Sequence, residues 1–365
     1  MEVIMSIRIL HVFGTLNRGG AETLVMNIYR NIDREKIQFD FVVHHKEEGA
    51  YEEEVRKLGG KIFRIPNYKG TNHFAYKKAW DDLLKSHPEY RIVHCHKESI
   101  VALVMDACKK NKRIGLAHSH NTQNIPGFKG KIMDMLNKNV DNKASYRFAC
   151  SKDAGEWMFG SGSDFKVLNN GIELEKFAFN PEVREKIRKN LNFGDKKVLG
   201  HIARFNKQKN HSFLIDIFND LLKEDNSYLL VMAGLGELKA DIEKKVKDLG
   251  IEENVRFLGS IGYVNELLQA IDIFILPSLY EGLAVSTIEA QAAGLKCLLA
   301  DTIDKNSKIT DLVEFIPIDE GTGPWLRAIL ATGAYERKDT RKEIKEAGFD
   351  IKETANWLSN FYLHL

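Results

Sequence analysis

Cysteine is scarce in this chain of 365 residues. The four that occur, Cys95, Cys108, Cys150 and Cys297, stand at no metal-knuckle or redox spacing. That excludes a disulfide-stapled secreted scaffold and fits small buried side chains in a reducing compartment. Long apolar runs are lacking too. Stretches such as Ile271–Leu276, interrupted by Asp272, fall far short of the roughly 20 residues that span a bilayer. The short apolar start meets Arg8 at once and carries no small-residue cleavage pattern, so no signal peptide is expected. Nor does one sign of charge dominate. With 53 Lys+Arg against 51 Asp+Glu the formal net charge is +2, which excludes a uniformly basic coat for nucleic acid and an acidic disordered tail.

The chain does have length and apolar content. At 44% hydrophobic over 365 residues, it supports two domains, each with its own core. Near-neutrality is an average over unlike halves: residues 1–180 carry +6 and the remainder −4. Lys109, Lys110, Lys112, Arg113, Lys129, Lys131, Lys138, Lys143 and Arg147 crowd one stretch, opposed between 109 and 147 only by Asp134 and Asp141.

Strand-like apolar runs alternate with amphipathic stretches almost throughout. Ile7–Phe13, Phe39–Val43, Lys61–Ile65, Ile92–Cys95, Ile114–Ala117, Arg147–Cys150 and Lys166–Leu168 read as strands, with helical stretches such as Phe74–Leu84 and Ile100–Cys108 between them. A second series follows: Val198–Ala203, Tyr228–Ala233, Val255–Leu258, Ile273–Leu276, Lys296–Ala300 and Glu314–Ile318, with helices His211–Lys223, Glu237–Leu249 and Val264–Ala270. Short buried strands joined by helices predict βαβ units and parallel sheets. The polar segment from Asn169 to Pro181 reads as the linker. The terminal stretch Ala355–Leu365, with Trp357, Leu358, Phe361 and Tyr362 at helical spacing, is expected to pack back on the body.

Four motifs sit where strands meet helices. Arg18-Gly19-Gly20-Ala21-Glu22 opens the first helix, where glycines permit close approach and helix N–H groups favour phosphate; alternatively the pair is only a tight turn. Arg204-x4-Lys209 follows the first strand of the second series and offers a fork and a point charge for a diphosphate, or a solvated basic turn. Gly234-Leu235-Gly236 opens another helix and admits the same two readings. Ser278–Ala290 is the most informative. Glu281 falls in the loop and Glu289 on the helix, Ser286 or Thr287 is expected to cap that helix, and the N–H groups of Gly282, Leu283, Ala284 and Val285 are free for an anion. Carboxylates suit vicinal sugar hydroxyls; alternatively Glu289 is only a favourable charge at a helix start.

Histidines cluster as His94-Cys95-His96 and His118-Ser119-His120 at strand ends. Histidine and cysteine are zinc ligands. Strand alternation is taken to send the members of each pair to opposite faces, which argues against chelation. The expectation is therefore no metal, and histidines that bind or polarise a substrate, with His94 and His118 as alternative core residues.

Together these motifs resemble the family 4 retaining glycosyltransferases of the GT-B fold, especially capsular and exopolysaccharide-type members. The resemblance runs from Gly14 to about Asp301. It is carried by Gly19–Val25, Ala117-His118-Ser119-His120-Asn121, Cys150-Ser151-Lys152, Leu168–Ile172, and Pro277–Glu289 downstream of Arg204-x4-Lys209. It implies an α/β chain of two doubly wound Rossmann-like domains facing across a cleft. Residues 1–172 would form the acceptor-side domain, with a helix near 352–365 packed back on it, and residues 173–351 the donor-binding domain.

The resemblance also implies roles. Arg204 and Lys209 would bind the donor pyrophosphate and stabilise the departing nucleotide, Glu289 the ribose hydroxyls and Glu281 the donor sugar. Gly282, Leu283, Ala284 and Val285 would meet sugar or phosphate through their backbone. Gly234 and Gly236 belong to the same donor side, and Gly19 and Gly20 would line the phosphates from the other domain. His120 would lie near the donor sugar. Such enzymes use neither cofactor nor divalent metal, and the donor phosphate assists deprotonation of the acceptor, so no protein nucleophile is assigned.

The implied reaction is hexosyl transfer from a nucleotide diphosphate sugar, UDP-linked, to a saccharide or lipid-linked saccharide in surface-polysaccharide assembly. Alternatives are a non-catalytic sugar-nucleotide-binding subunit and a GT-B nucleotide-sugar epimerase; a dinucleotide oxidoreductase lacks its G-x-G-x-x-G. Gly282-Leu283-Ala284 stands where many relatives read Gly-Leu-Pro, Ser286-Thr287 where apolar residues are common, and Leu235 where Asp is frequent. These departures leave the donor sugar open. Lys129–Arg147, with Ile132, Met133, Met135, Leu136 and Val140, reads as a basic amphipathic helix for anionic lipid or as an ordinary core-facing helix. The expected location is cytoplasmic, peripheral at the inner face of the plasma membrane, with no nucleic-acid partner.

Overall fold

The computed structural model describes residues 6–121, 130, 135, 137 and 139–365. Most of the stretch expected to form a basic helix, including Lys129, Lys131, Ile132, Met133, Leu136 and Lys138, lies outside the described residues. The chain divides into two compact units, residues 1–171 with 351–365, and residues 172–350.

In the first unit β1 (Ile7–Val12), β2 (Ile37–Val43), β3 (Ile62–Arg64), β4 (Ile92–Cys95), β5 (Ile114–Ser119), β6 (Tyr146–Ala149) and β7 (Lys166–Val167) form a seven-stranded sheet. Its order is β3-β2-β1-β4-β5-β6-β7, and every pairing is parallel. The second unit repeats the plan with β8 (Lys197–Ile202), β9 (Tyr228–Ala233), β10 (Val255–Gly259), β11 (Ile273–Leu276), β12 (Lys296–Ala300) and β13 (Val313–Ile316) in the order β10-β9-β8-β11-β12-β13. Both are doubly wound sheets whose strand order reverses beside the first strand.

Covering a sheet on both sides makes its strands apolar at nearly every position, and β9 and β11 are buried along their whole length. The pleat sorts the first unit into two cores. Ile9, Phe13, Phe39 and Phe41 pack on one face with Ile351, Ala355, Leu358 and Tyr362 of the C-terminal helix Ile351–Leu363; Leu10, Val12, Val42, Val93 and Cys95 pack on the other with the helix Val101–Lys110. The C-terminal helix thus belongs to the first unit although the second precedes it in sequence.

From Ile172 onward, the segment read as a linker is built into the second unit. Ile172 bridges to Asp350, Leu174 and Phe177 are buried in its core, and the Asn180 side chain accepts from the N–H groups of Glu182 and Val183 at 2.9 and 3.1 Å to cap the helix Pro181–Asn190. Three apolar side chains among the turn residues outweigh the local polarity there. No helix among the described residues is long and apolar enough to cross a membrane.

Candidate active site

In sheets of this kind ligands gather where the strand order reverses, outside the carboxyl ends of the strands. In the second unit that point lies between β8 and β11, which are paired neighbours. Arg204 and Lys209 follow β8 and Glu281 follows β11. The two loops are tied together. Leu279 N–H donates to the Gln208 carbonyl at 2.8 Å, Gln208 Nε2 to the Tyr280 carbonyl at 3.0 Å, and Asn210 Nδ2 to the Pro277 carbonyl at 3.2 Å. Asn206 Oδ1 accepts from Lys209 N–H at 3.1 Å, and Asn210 takes the left-handed conformation, φ 56°. Behind the turn Phe205 stacks on buried His211, ring centroids 4.0 Å apart.

This framework brings Lys209 Nζ onto Glu281 Oε2 as an ion pair in which each side chain is only 15% exposed. Arg204 is exposed and makes no ion pair with the described residues. Glu289 sits on the helix Val285–Ala292, partly buried, and burial alone pushes its carboxyl up to about 7. The expected cap is not formed by Ser286 or Thr287. The helix begins two or three residues earlier than those caps imply, with Ala284 at the cap position, and Thr287 Oγ1 donates back to the Ala284 carbonyl at 2.7 Å. A hydroxyl inside the first turn reaches that carbonyl more readily than an N–H ahead of it. The N–H groups of Gly282, Leu283, Ala284 and Val285 have no hydrogen-bond partner among the described residues.

The glycines of Gly234-Leu235-Gly236 serve the protein's own backbone. A Cβ on Gly234 would lie 1.9 Å from the Ala203 carbonyl oxygen and one on Gly236 2.2 Å from that of Phe205, at φ of +149° and +159°. They let the turn after β9 press against the turn that carries Arg204, with Phe205 N–H donating to the Leu235 carbonyl at 2.9 Å.

In the first unit the reversal lies between β1 and β4. A cavity of about 290 Å³ there is lined by Gly20, Glu22, His96, Lys97, Glu98 and His120, among others. Gly20 opens the helix Gly20–Asn31 with Gly19 as its cap residue, and a Cβ on Gly20 would meet nothing within 4 Å. Glu98 went unnoticed in the sequence, where only its position just past a strand end marked it. Its carboxylate accepts from His120 N–H at 2.9 Å and from Asn121 Nδ2 at 3.0 Å, and burial pushes its pKa up. Lys97, equally unnoticed, is lowered to about 8 by burial and donates to Asn67 Oδ1 at 2.8 Å.

The histidine pairs correct the sequence reading. Residues two apart on a strand share a face, so His94 and His96 stack at 4.3 Å and His118 and His120 at 4.1 Å, while Cys95 faces the opposite core. His94 and His118 are core residues, bonded to each other at 3.2 Å, and His94 Nδ1 lies 2.6 Å from Tyr362 OH.

Two doubly wound parallel-sheet units, one with cationic and carboxylate groups at its strand-order reversal, give the architecture, and comparison with known proteins gives the family. Residues 18–176 match the model for glycosyltransferase family 4 and residues 183–311 that for group 1 glycosyl transferases. The chain belongs to the family 4 glycosyltransferases. It is 34% identical to EpsF of Bacillus subtilis, over 97% of this chain and 96% of that protein. It is 22% identical to the capsular polysaccharide biosynthesis glycosyltransferase CapH of Staphylococcus aureus, over 98% and 99%. Among solved structures, Anabaena HepE in complex with UDP shares the fold, with a TM-score of 0.77 at 18% identity over 99% of this chain and 100% of that one.

Proposed function

We propose that this glycosyltransferase moves a hexosyl group, with retention of configuration, from a UDP-sugar to a saccharide or lipid-linked saccharide in surface-polysaccharide assembly. The observation that carries the reading is the Lys209–Glu281 pair at the β8–β11 reversal, with exposed Arg204 on the same loop. Lys209 and Arg204 bind the diphosphate and offset the charge that grows on the leaving nucleotide. Glu281 orients the sugar hydroxyls and Glu289 the ribose. The unpartnered N–H groups of residues 282–285 receive anionic or hydroxyl oxygens of the donor, and His120 and Gly20 take up sugar and phosphate.

CapH's role in capsule synthesis supports the acceptor class, and the UDP held by HepE supports the nucleotide. The acceptor hydroxyl attacks the anomeric carbon from the face the nucleotide leaves, and its proton passes to the departing phosphate, so the protein supplies charge and position without a nucleophile. The enzyme works at the inner face of the plasma membrane, with the basic stretch 129–147 as its contact.

A panel of UDP- and GDP-sugars, scored for donor hydrolysis and thermal stabilisation, tests the donor. UDP-sugars are expected to stabilise the chain and GDP-sugars to leave it unmoved; the reverse pattern refutes the nucleotide assignment. Transfer is expected to persist in chelator, and NMR of the new linkage to show the donor's anomeric configuration retained.

A further inference from the structure

His11 on β1, His94 and His96 on or just past β4, and His118 and His120 on or just past β5 form one cluster on the sheet face covered by the C-terminal helix. Four of the five are at most 4% exposed.

The cluster does not satisfy itself. His11 Nδ1 meets His96 Nε2 at 3.0 Å, His96 Nδ1 meets His120 Nε2 at 2.9 Å, and His118 Nδ1 meets His94 Nε2 at 3.2 Å. His94 Nδ1 is taken by Tyr362. His11 Nε2, His118 Nε2 and His120 Nδ1 remain, each buried and without a partner. Desolvated polar atoms left unpaired are costly, and the two on the neighbouring His118 and His120 rings point to a ligand that completes them.

One ring nitrogen from each of His96, His118 and His120 lies within 4.8 Å of the other two. Tetrahedral zinc, with Zn–N near 2.0–2.1 Å, holds its nitrogens roughly 3.4 Å apart. Both His96 nitrogens are engaged, Nε2 with His11 and Nδ1 with His120, so His96 binds an ion by exchanging the Nδ1 contact with His120 for the metal. Two of the three residues, His96 and His120, line the cavity of about 290 Å³, which supplies an entry path. His11, His94 and His96 also meet the distance condition, but His11 and His94 do not line the cavity.

The outer shell is in place as well. Metal-bound imidazoles hold their other nitrogen through a hydrogen bond, and here His11 stands at His96 Nε2, while His94, backed by Tyr362, stands at His118 Nδ1.

We propose that His96, His118 and His120 bind one divalent transition-metal ion, Zn(II), through one ring nitrogen each, with the remaining coordination open to the cavity. An all-imidazole set suits zinc and its neighbours. The ion has no part in the transfer chemistry, to which Arg204, Lys209, Glu281 and Glu289 belong. His120 alone is common to both, so a bound ion withholds it from other ligands.

The test is a titration of the metal-stripped full chain with Co(II), whose tetrahedral complexes absorb strongly in the visible, followed by Zn(II) calorimetry. One ion per chain is expected, with a Co(II) spectrum that Zn(II) bleaches and a rise in Tm. His118→Gln is expected to lose the spectrum. His94→Gln leaves all three ligands in place and is expected to bind Zn(II) roughly 10–100-fold more weakly. Circular dichroism without metal shows whether the variants fold. Absence of Co(II) and Zn(II) binding by the wild-type chain overturns the proposal without reference to any variant, and so does an unchanged spectrum in folded His118→Gln.

Discussion

Glu281 and Glu289, eight positions apart, live in opposite electrostatic settings. The first is held by the Lys209 ammonium; the second has only burial, which keeps its carboxyl near 7. If Lys209 and Glu281 act on the donor as proposed, Lys209→Ala and Glu281→Ala should each lower kcat by about 10²–10³ with an unchanged circular dichroism spectrum; normal turnover in both refutes the assignment. Glu289 makes a separate pH prediction. Its carboxyl lies near 4.5 in the unfolded chain and about 7 in the folded one. The folded state therefore binds the extra proton between those values, and the stability this contributes is complete below about 4.5 and gone above about 7. Glu289→Gln should gain Tm relative to wild type as pH rises from roughly 5 to 8, while losing stabilisation by UDP. A Tm difference that is flat with pH argues that the carboxylate is not desolvated.

At the scale of elements, strand and helix periodicity was legible almost throughout. Ile92–Cys95, Tyr228–Ala233, Ile273–Leu276 and Lys296–Ala300 are the strands the apolar runs predict. The misreadings came where local signals competed. Turn residues masked Ile172, Leu174 and Phe177, and pleat alternation was misapplied to the histidine pairs. Tight contacts between elements were not legible at all. Gly234→Ala drives a Cβ into the Ala203 carbonyl, so it should displace the Arg204 turn and remove UDP stabilisation before the unit unfolds; thermal shifts with and without UDP separate the two effects. The C-terminal helix gives a stability prediction. Leu358→Ala removes a side chain buried against the first sheet and should cost about 2–5 kcal/mol. Tyr362→Phe leaves His94 Nδ1 unpaired and should cost about 1–3 kcal/mol. Urea midpoints of the first unit's transition measure both.

At the scale of the whole molecule, charge is distributed in two unlike halves, +6 over residues 1–180 and −4 over the rest. A membrane role for the basic stretch requires attraction of about 1 kcal/mol per basic residue near an anionic surface, screened by salt. Binding to phosphatidylserine-rich vesicles should therefore fall as salt rises; absent or salt-insensitive binding removes the contact. The +2 total said little about such a surface, because a sum hides where charges lie.

The sequence by itself determined the succession of strands and helices, since burial on two faces demands apolar runs and burial on one demands helical spacing. It also determined which loops carry cations, carboxylates and glycines, because these follow strand ends in chain order. Only the tertiary structure decided which of them meet. Lys209 and Glu281 are 72 positions apart and join because β8 and β11 are neighbours at the reversal of strand order. His11, His94, His96, His118 and His120 converge because three parallel strands present the same face in adjacent positions. Strand order and pairing register are long-range outcomes of packing, and no local pattern encodes them.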